Sequence, residues 1–381
     1  MRLTPIHPFP ARMAPELALK TIATLPKDAV ILDPMSGSGT VLRAGVEHGN
    51  PCLGFDLDPL AALMARVWTS HLAEGLVLEA KRVVEAAKAL GEVSPPWGGS
   101  VKTQAFAEFW FEERQRRDLS ALTQVLANYE GVHRHALMLA LSRLIITKEK
   151  GASIARDTSH SRPHRVFFDN DFDVFYALPI AAKRIEERLR PQDIRGTARI
   201  ELADARRLPL EHGCIDAVIT SPPYLNAIDY MRGHRLALIW MGFNLDELAR
   251  VRSVSIGAEA ALKAHSELVL PPFEITTRLS RSKAQIVERY RTDIYRLMIE
   301  MRRVVKPGGQ VLVVVGNSNI AGVPVSNADI NHASATQVGF TLINRFDRAL
   351  PPQSRYLPTP KGDSTALGRR MRTETVLTFA A

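Results

Sequence analysis

Between Ala29 and Asp58 the chain alternates in a way that few folds can accommodate. Ala29-Val30-Ile31-Leu32 is a short apolar run that reads as a buried strand, followed by the acidic, glycine-rich stretch Asp33-Pro34-Met35-Ser36-Gly37-Ser38-Gly39-Thr40. A helix is expected from Val41 to His48, stopped by Gly49-Asn50. Cys52-Leu53-Gly54-Phe55 is a second strand ending in Asp56-Leu57-Asp58-Pro59, and a further helix runs from Leu60 to about Ser70. Strand, tight turn, helix, strand and terminal acid make one right-handed βαβ unit, so the core is an α/β, doubly wound, mostly parallel sheet.

That unit also limits the ligand. Gly37 and Gly39 let the backbone turn sharply and approach a bound molecule. Asp56, about 20 residues beyond the turn, is placed to accept hydrogen bonds from ribose hydroxyls. The stretch is neither G-x-G-x-x-G nor a P-loop with its lysine, which disfavours a pyrophosphate cradle. Asp33 adds negative charge where a phosphate would sit, so the mouth suits a cation such as the sulfonium of S-adenosylmethionine. A tight βα turn in another doubly wound fold would carry the same pattern.

A second informative stretch lies far along the chain. The apolar strand Ile215-Asp216-Ala217-Val218-Ile219 runs into Thr220-Ser221-Pro222-Pro223-Tyr224. Two prolines have fixed φ and no N–H to donate, so the chain leaves the sheet rigid and extended. The carbonyls of Ser221 and Pro222 become acceptors no helix can use, with an aromatic ring behind them. That suits a planar group bearing an exocyclic amine, although Pro-Pro is also a common strand exit.

A Pro-rich start feeds a helix from about Pro15 to Thr24, and residues 71–190 are mainly helical. The aromatic run Phe106 to Phe111 on that stretch is expected to pack as a local core. Arg199-Ile200-Glu201-Leu202 is a strand followed by Asp204, an acceptor within reach of an adenine amino group. Residues 245–285 are polar and irregular, a candidate recognition segment or lid. A helix from about Ser282 to Val305 leads through Lys306-Pro307-Gly308-Gly309 into the strand Gln310 to Val315, and Phe340–Ile343 with Thr375–Phe379 form a terminal antiparallel pair. This divides the chain into a cofactor-binding part (1–70), a mainly helical insertion with a basic loop (71–195) and a catalytic part (196–381).

Net charge is +9 and the pI about 9.7, which favours an anionic partner, nucleic acid first. Candidate phosphate contacts are Lys148, Arg156, Arg162, Arg165, Arg232 and Arg252. The two cysteines, Cys52 and Cys214, have no metal or disulfide spacing, and no metal is expected. The N-terminus lacks a signal-peptide core and no run is long enough for a membrane span, so a cytoplasmic location is expected.

Taken together, Asp33 to Thr40 and Ser221-Pro222-Pro223-Tyr224 resemble the motifs of the S-adenosylmethionine-dependent amino-group DNA methyltransferases. The Ser-Pro-Pro-Tyr form is similar to that of the cytosine-N4 members, and His7-Pro8-Phe9-Pro10 to the family's N-terminal cofactor segment. The resemblance covers about residues 1–68 and 199–240 well, 282–381 loosely, and is silent on 71–190. It implies a Rossmann-like methyltransferase fold with the cofactor motif first. It also implies S-adenosylmethionine held by Phe9, Pro10, Asp33, Pro34, Ser36, Gly37, Gly39, Thr40, Asp56, Leu57, Asp204 and Ala205. Ser221, Pro222, Pro223 and Tyr224 would be catalytic, acting on a base flipped out of DNA. Adenine N6 and an RNA amine are the alternative substrates, and a catalytically inactive nucleic-acid-binding protein is a third reading. A cognate restriction endonuclease is a candidate partner.

Overall fold

The computed structural model describes residues 3–9, 12–71, 74–145, 150–156, 163–165, 169–190, 193–225, 229–257, 268–273, 279–350 and 373–381. In chain order its first elements are α1 (Pro15–Ile22), β1 (Ile31–Asp33), α2 (Thr40–His48), β2 (Pro51–Asp56) and α3 (Pro59–Thr69). Five helices follow with a two-stranded ribbon among them: α4 (Leu76–Lys88), α5 (Val101–Trp110), α6 (Glu113–Ala127), α7 (Arg134–Ile145), β3 (Ala155–Arg156), β4 (His164–Arg165) and α8 (Val174–Leu189). Then come β5 (Thr197–Leu202), β6 (Ile215–Thr220), α9 (Met231–Leu238), α10 (Leu245–Val254) and α11 (Arg281–Val304). The chain closes with β7 (Val305–Gly316), β8 (Ser318–Ile320), β9 (Val323–Val325), α12 (Asn327–Gln337), β10 (Thr341–Ala349) and β11 (Thr373–Ala380).

Seven strands form one sheet in the order β10-β11-β7-β6-β1-β2-β5. The pairs from β7 through β5 are parallel, and β11 runs antiparallel between β7 and β10. This is the doubly wound, Rossmann-like arrangement expected, with a terminal antiparallel pair at one edge. The sheet's order reverses next to β1, between β2 and β6, and a doubly wound sheet binds its ligand at the carboxyl ends of the strands at such a point. β1 is buried along its length and its register is set on both sides, Ile31 opposite Cys52 and Ala217. Two apolar clusters cover the sheet. One joins α1 to α9 and takes in Trp68, Trp110 and Trp240; the other is built by α11, α12, β7 and β11 around Tyr290, Leu297 and Phe379.

Two expectations need correction. Residues 245–254 are not irregular but form α10, capped by Asn244, whose side chain accepts from the backbone of Asp246 and Glu247 while Glu247 reaches back to the Asn244 N–H. That capping box is readable in the sequence and outweighs the low apolar content. The aromatic run on α5 is only partly core. Trp110 and Phe111 are buried, whereas Phe109 is half exposed and carries the Arg165 guanidinium over its ring.

Candidate active site

The end of β1 opens into the turn through Asp33, which is buried. Its Oδ1 accepts the Thr220 hydroxyl at 2.8 Å and the Met35 N–H at 3.2 Å. The turn then crosses to β2, the Ser36 N–H bonding the Phe55 carbonyl at 2.8 Å. Gly37 sits at φ +50° and Gly39 at φ +89°, the left-handed region that favours glycine. Both positions are crowded as well. A Cβ on Gly37 would lie 3.1 Å from the Phe9 ring, and one on Gly39 would lie 2.9 Å from the Ala65 Cα. Phe9 and α3 therefore press on the turn from two sides.

Asp56 binds the same turn. One carboxylate oxygen accepts the Gly37 N–H at 2.8 Å and the other the Asp58 N–H at 2.9 Å. Asp58 caps α3, accepting from Leu60 at 2.9 Å, and its second oxygen meets the His234 Nδ1. Burial pushes Asp33 up to about 7 and Asp56 up to about 6, each raised further by a neighbouring carboxylate. Burial also acts upward on Asp58, but His234 and the helix-capping N–H groups outweigh it and hold that carboxyl below its usual range. Among the described residues the buried hydroxyls of Ser36 and Ser38 have no partner. A buried polar atom without a partner is costly in a folded chain and marks a place for a polar ligand. Unpaired hydroxyls, a backbone free of side chains and a carboxylate rim fit a ligand with hydroxyl groups and a cationic centre.

The helices between β2 and β5 reach this turn through the N-terminal segment. Arg143 of α7 donates to the Ile6 carbonyl at 2.6 Å, Arg188 of α8 donates to that of Pro5 at 2.7 Å, and the His7 ring meets the Ser142 hydroxyl. Phe9 is thereby seated against Gly37, and its ring stacks on Tyr230 with centroids 5.2 Å apart and tilts toward His234.

At the end of β6, next to β1, Thr220 is the residue bonded to Asp33, so Ser221 follows directly on the wall of the turn. The Ser221 hydroxyl donates to the Val314 carbonyl at 2.9 Å. Its one proton is thus committed, and its lone pairs face the neighbouring Tyr224 hydroxyl as well as the site. Burial and then the Glu374 carboxylate push the Tyr224 hydroxyl upward, and Glu374 is itself raised by burial against the pull of Arg348. Asp204, after β5, is gripped by Arg206, which bonds both its oxygens (2.9 and 2.7 Å) and also reaches Asp293 of α11 and the Val254 carbonyl of α10.

Of the residues expected at the site, the structure brings Phe9, Gly37 and Asp56 into direct contact and ties Asp33, at the start of the same turn, to Thr220, the residue before Ser221. Pro34, Ser36, Gly39 and Thr40 lie on the same turn or open the helix after it, Leu57 follows β2, and Ala205 is buried beside Asp204. Asp204 makes its described side-chain contacts through the Arg206 brace. Pro10, Lys148 and Arg162 lie outside the described residues. Arg156 and Arg165 are exposed on β3 and β4, while Arg232 and Arg252 share Asp229. The sequence reading missed His234, Arg206 and Glu374. His234 had no signal beyond being a histidine on an amphipathic helix, and Glu374 lies on a terminal strand about 150 residues from Tyr224 in sequence, where no local pattern points to it. Among the described residues no group of side chains forms a metal site, and no helix is long and apolar enough to cross a membrane.

No family model matches the chain. It is similar to the Type II methyltransferase M.MvaI of Kocuria varians, 20% identical over 97% of this chain and 88% of that protein. The Type II methyltransferase M.BsoBI of Geobacillus stearothermophilus is 21% identical over 84% of this chain and 75% of its own. M.AvaI of Nostoc sp., also a Type II methyltransferase, is 26% identical over 177 residues, 41% of this chain and 35% of that protein. Among solved structures, a SAM-dependent methyltransferase from Mesorhizobium loti superposes with a TM-score of 0.32 at 11% identity, covering 97% of this chain and 98% of its own. At that score the superposition adds nothing to the sheet order described above.

Proposed function

We propose that the chain transfers a methyl group from S-adenosylmethionine to the exocyclic amine of a DNA base, cytosine N4. The observation that carries this reading is the Thr220–Asp33 hydrogen bond, which joins the Ser221-Pro222-Pro223-Tyr224 loop to the glycine turn at the sheet's switch point. The likeness to Type II methyltransferases along nearly the whole chain supports it. Cytosine rests on Ser221 at the head of the tetrapeptide.

The cofactor, when bound, supplies an electrophilic methyl group on a sulfonium. In this reading Asp56 accepts from the ribose hydroxyls, Ser36 and Ser38 offer their unpaired hydroxyls, and Asp33 contributes negative charge toward the cationic centre. Asp204, held still by Arg206, accepts from the adenine amine. Ser221 Oγ and the Pro222 carbonyl accept the N–H bonds of the target amine and aim its lone pair, and the Tyr224 ring packs on the base. Transfer is then a matter of positioning and electrostatics, with no covalent cysteine adduct. Burial pushes the Cys52 thiol up to about 12, far from a nucleophile's range. Arg156, Arg165, Arg232 and Arg252 would contact DNA phosphates.

The test is to incubate the purified chain with labelled S-adenosylmethionine and duplex DNA, single-stranded DNA or tRNA, then digest to nucleosides. N4-methylcytosine is expected. N6-methyladenine would replace the target base, label confined to RNA would overturn the substrate class, and cofactor binding without transfer would leave a nucleic-acid-binding protein. Tyr224→Ala should lower kcat while S-adenosylhomocysteine affinity, read by calorimetry, stays within a few-fold of the wild type.

A further inference from the structure

Directly beyond the tetrapeptide loop, three arginines converge on one carboxylate. Arg232 and Arg235 stand three apart on α9 and so share a face. Arg252 comes from α10 and pairs with Asp229 at 2.8 Å, and Arg232 pairs with the same Asp229 at 3.5 Å. One carboxylate cannot neutralise three guanidinium groups. Arg235 is the one left over: among the described residues it makes no ion pair, and its Nε is buried without a hydrogen-bond acceptor.

Its placement is nevertheless fixed. The guanidinium lies over the Phe106 ring of α5, 4.9 Å from the centroid. A guanidinium held by its face on an aromatic ring keeps its N–H edge free for a forked acceptor. Burial, then the charges of Arg252 and Arg232, lower its proton affinity, with Asp229 opposing only in part. A cation held beside two others without full compensation favours an arriving anion, and a phosphate oxygen pair matches the fork bidentately.

We infer that Arg235, with Arg232 and Arg252, forms a phosphodiester clamp that grips the nucleic-acid strand next to the flipped base, with Phe106 as its platform. This rests on the function proposed above and adds Arg235 and Phe106 to it. α9 follows the tetrapeptide loop in the chain, and its Tyr230 N-cap stacks on Phe9 over the cofactor turn. A backbone phosphate held here is therefore held in register with both halves of the site. Phe106 gives the helices between β2 and β5 a direct part in that grip.

The experiment measures binding of the full chain to a short fluorescent DNA duplex by anisotropy across a salt series. Each phosphate contact adds about 0.9 to the magnitude of the slope of log K against log salt, so between about 50 mM and about 200 mM one contact is a factor of about 3.5 in affinity. Arg235→Gln and Arg252→Gln should each lower the slope by about that amount. Arg235→Lys should keep the slope but bind more weakly, because the charge stays and the fork is lost. Arg190→Gln, at an exposed pair with Glu186 on α8, should leave both unchanged. If Arg235→Gln proves unfolded by circular dichroism, Arg252→Gln, whose side chain is half exposed, carries the test. Slopes equal to wild type in folded Arg235→Gln and Arg252→Gln, in an enzyme that still methylates DNA, overturn this inference and the Arg252 phosphate contact while methyl transfer to DNA stands. A wild-type chain that neither binds nor methylates nucleic acid overturns the function proposed above along with it.

Discussion

Replacing Asp33 by asparagine separates what this carboxylate does for a ligand from what it costs the fold. Asp33 is 4% exposed, and burial pushes its carboxyl up to about 7, with the Thr220 hydroxyl and the Met35 N–H opposing and Asp56 adding to the rise. A folded pKa above the unfolded value means the native state holds the proton more tightly. The stabilisation is therefore complete below about pH 4 and is lost as pH rises toward and through about 7. A rise of about three units corresponds to about 4 kcal/mol once the group is fully ionised, of which more than half falls between about pH 5 and about pH 8. Both hydrogen bonds end on Oδ1, so an asparagine carbonyl can accept them unchanged. Urea unfolding followed by tryptophan fluorescence at those two pH values should show the wild type losing about 2–3 kcal/mol more than Asp33→Asn, with the variant the more stable protein at the higher pH. Asp56 titrates in both proteins, so the difference reports Asp33 together with its coupling to Asp56. The variant should also bind S-adenosylmethionine worse relative to its uncharged thioether product, because the negative charge opposite the sulfonium is gone. Parallel pH dependence in the two proteins would refute the burial argument.

Gly39→Ala should be far more damaging than Gly37→Ala. At Gly39 the new Cβ meets the Ala65 backbone at 2.9 Å, which cannot swing aside, and a cost of about 3 kcal/mol is expected in thermal unfolding. At Gly37 it meets the edge of the Phe9 ring, so about 1–2 kcal/mol and weakened cofactor binding are expected. A thiol reagent should label Cys214, which is partly exposed, before Cys52, which should react only on unfolding, and protein labelled at Cys214 should still transfer methyl groups.

The βαβ unit was legible because each of its signals is local. The apolar run of β1, the glycines that stop and start α2 and the Asp58-Pro59 cap of α3 are neighbours in sequence, and each dictates backbone conformation within a few residues. The reading failed where that locality failed. α12 went unseen because its buried face is half polar, with Asn327, Asn331 and Ser334 among Ala328, Ile330 and Ala335, so no strong apolar period marks it. The Asn327 amide instead bonds the Gly316 carbonyl and the Ser318 hydroxyl at the start of the β8–β9 hairpin, partners known only once β7 is in place. β8 and β9 are three residues each, too short to show alternation.

The site divides in the same way. Residues proposed to meet the ligand by backbone shape, Gly37 and Gly39, or by their place at a strand end, Asp33 and Asp56, announce themselves because the fold's geometry needs those residue types there. Residues that hold others in place do not. Arg206 reads as one more arginine in a basic chain, yet it joins Asp204 to Asp293 and to the end of α10, and burial at 15% side-chain exposure is outweighed by those partners, so that its charge is held more firmly than usual. Arg143 and Arg188 look like solvated helix cations until they are found on the carbonyls of Ile6 and Pro5. A bracing side chain is chosen by where its reach ends, which is set by the packing of elements far apart in the chain. The one sequence cue such residues leave is excess. A chain with 49 Lys and Arg against 40 Asp and Glu has cations to spare. Arg143 and Arg188, bonded to main-chain carbonyls, belong to that surplus: packing places them where no carboxylate is needed.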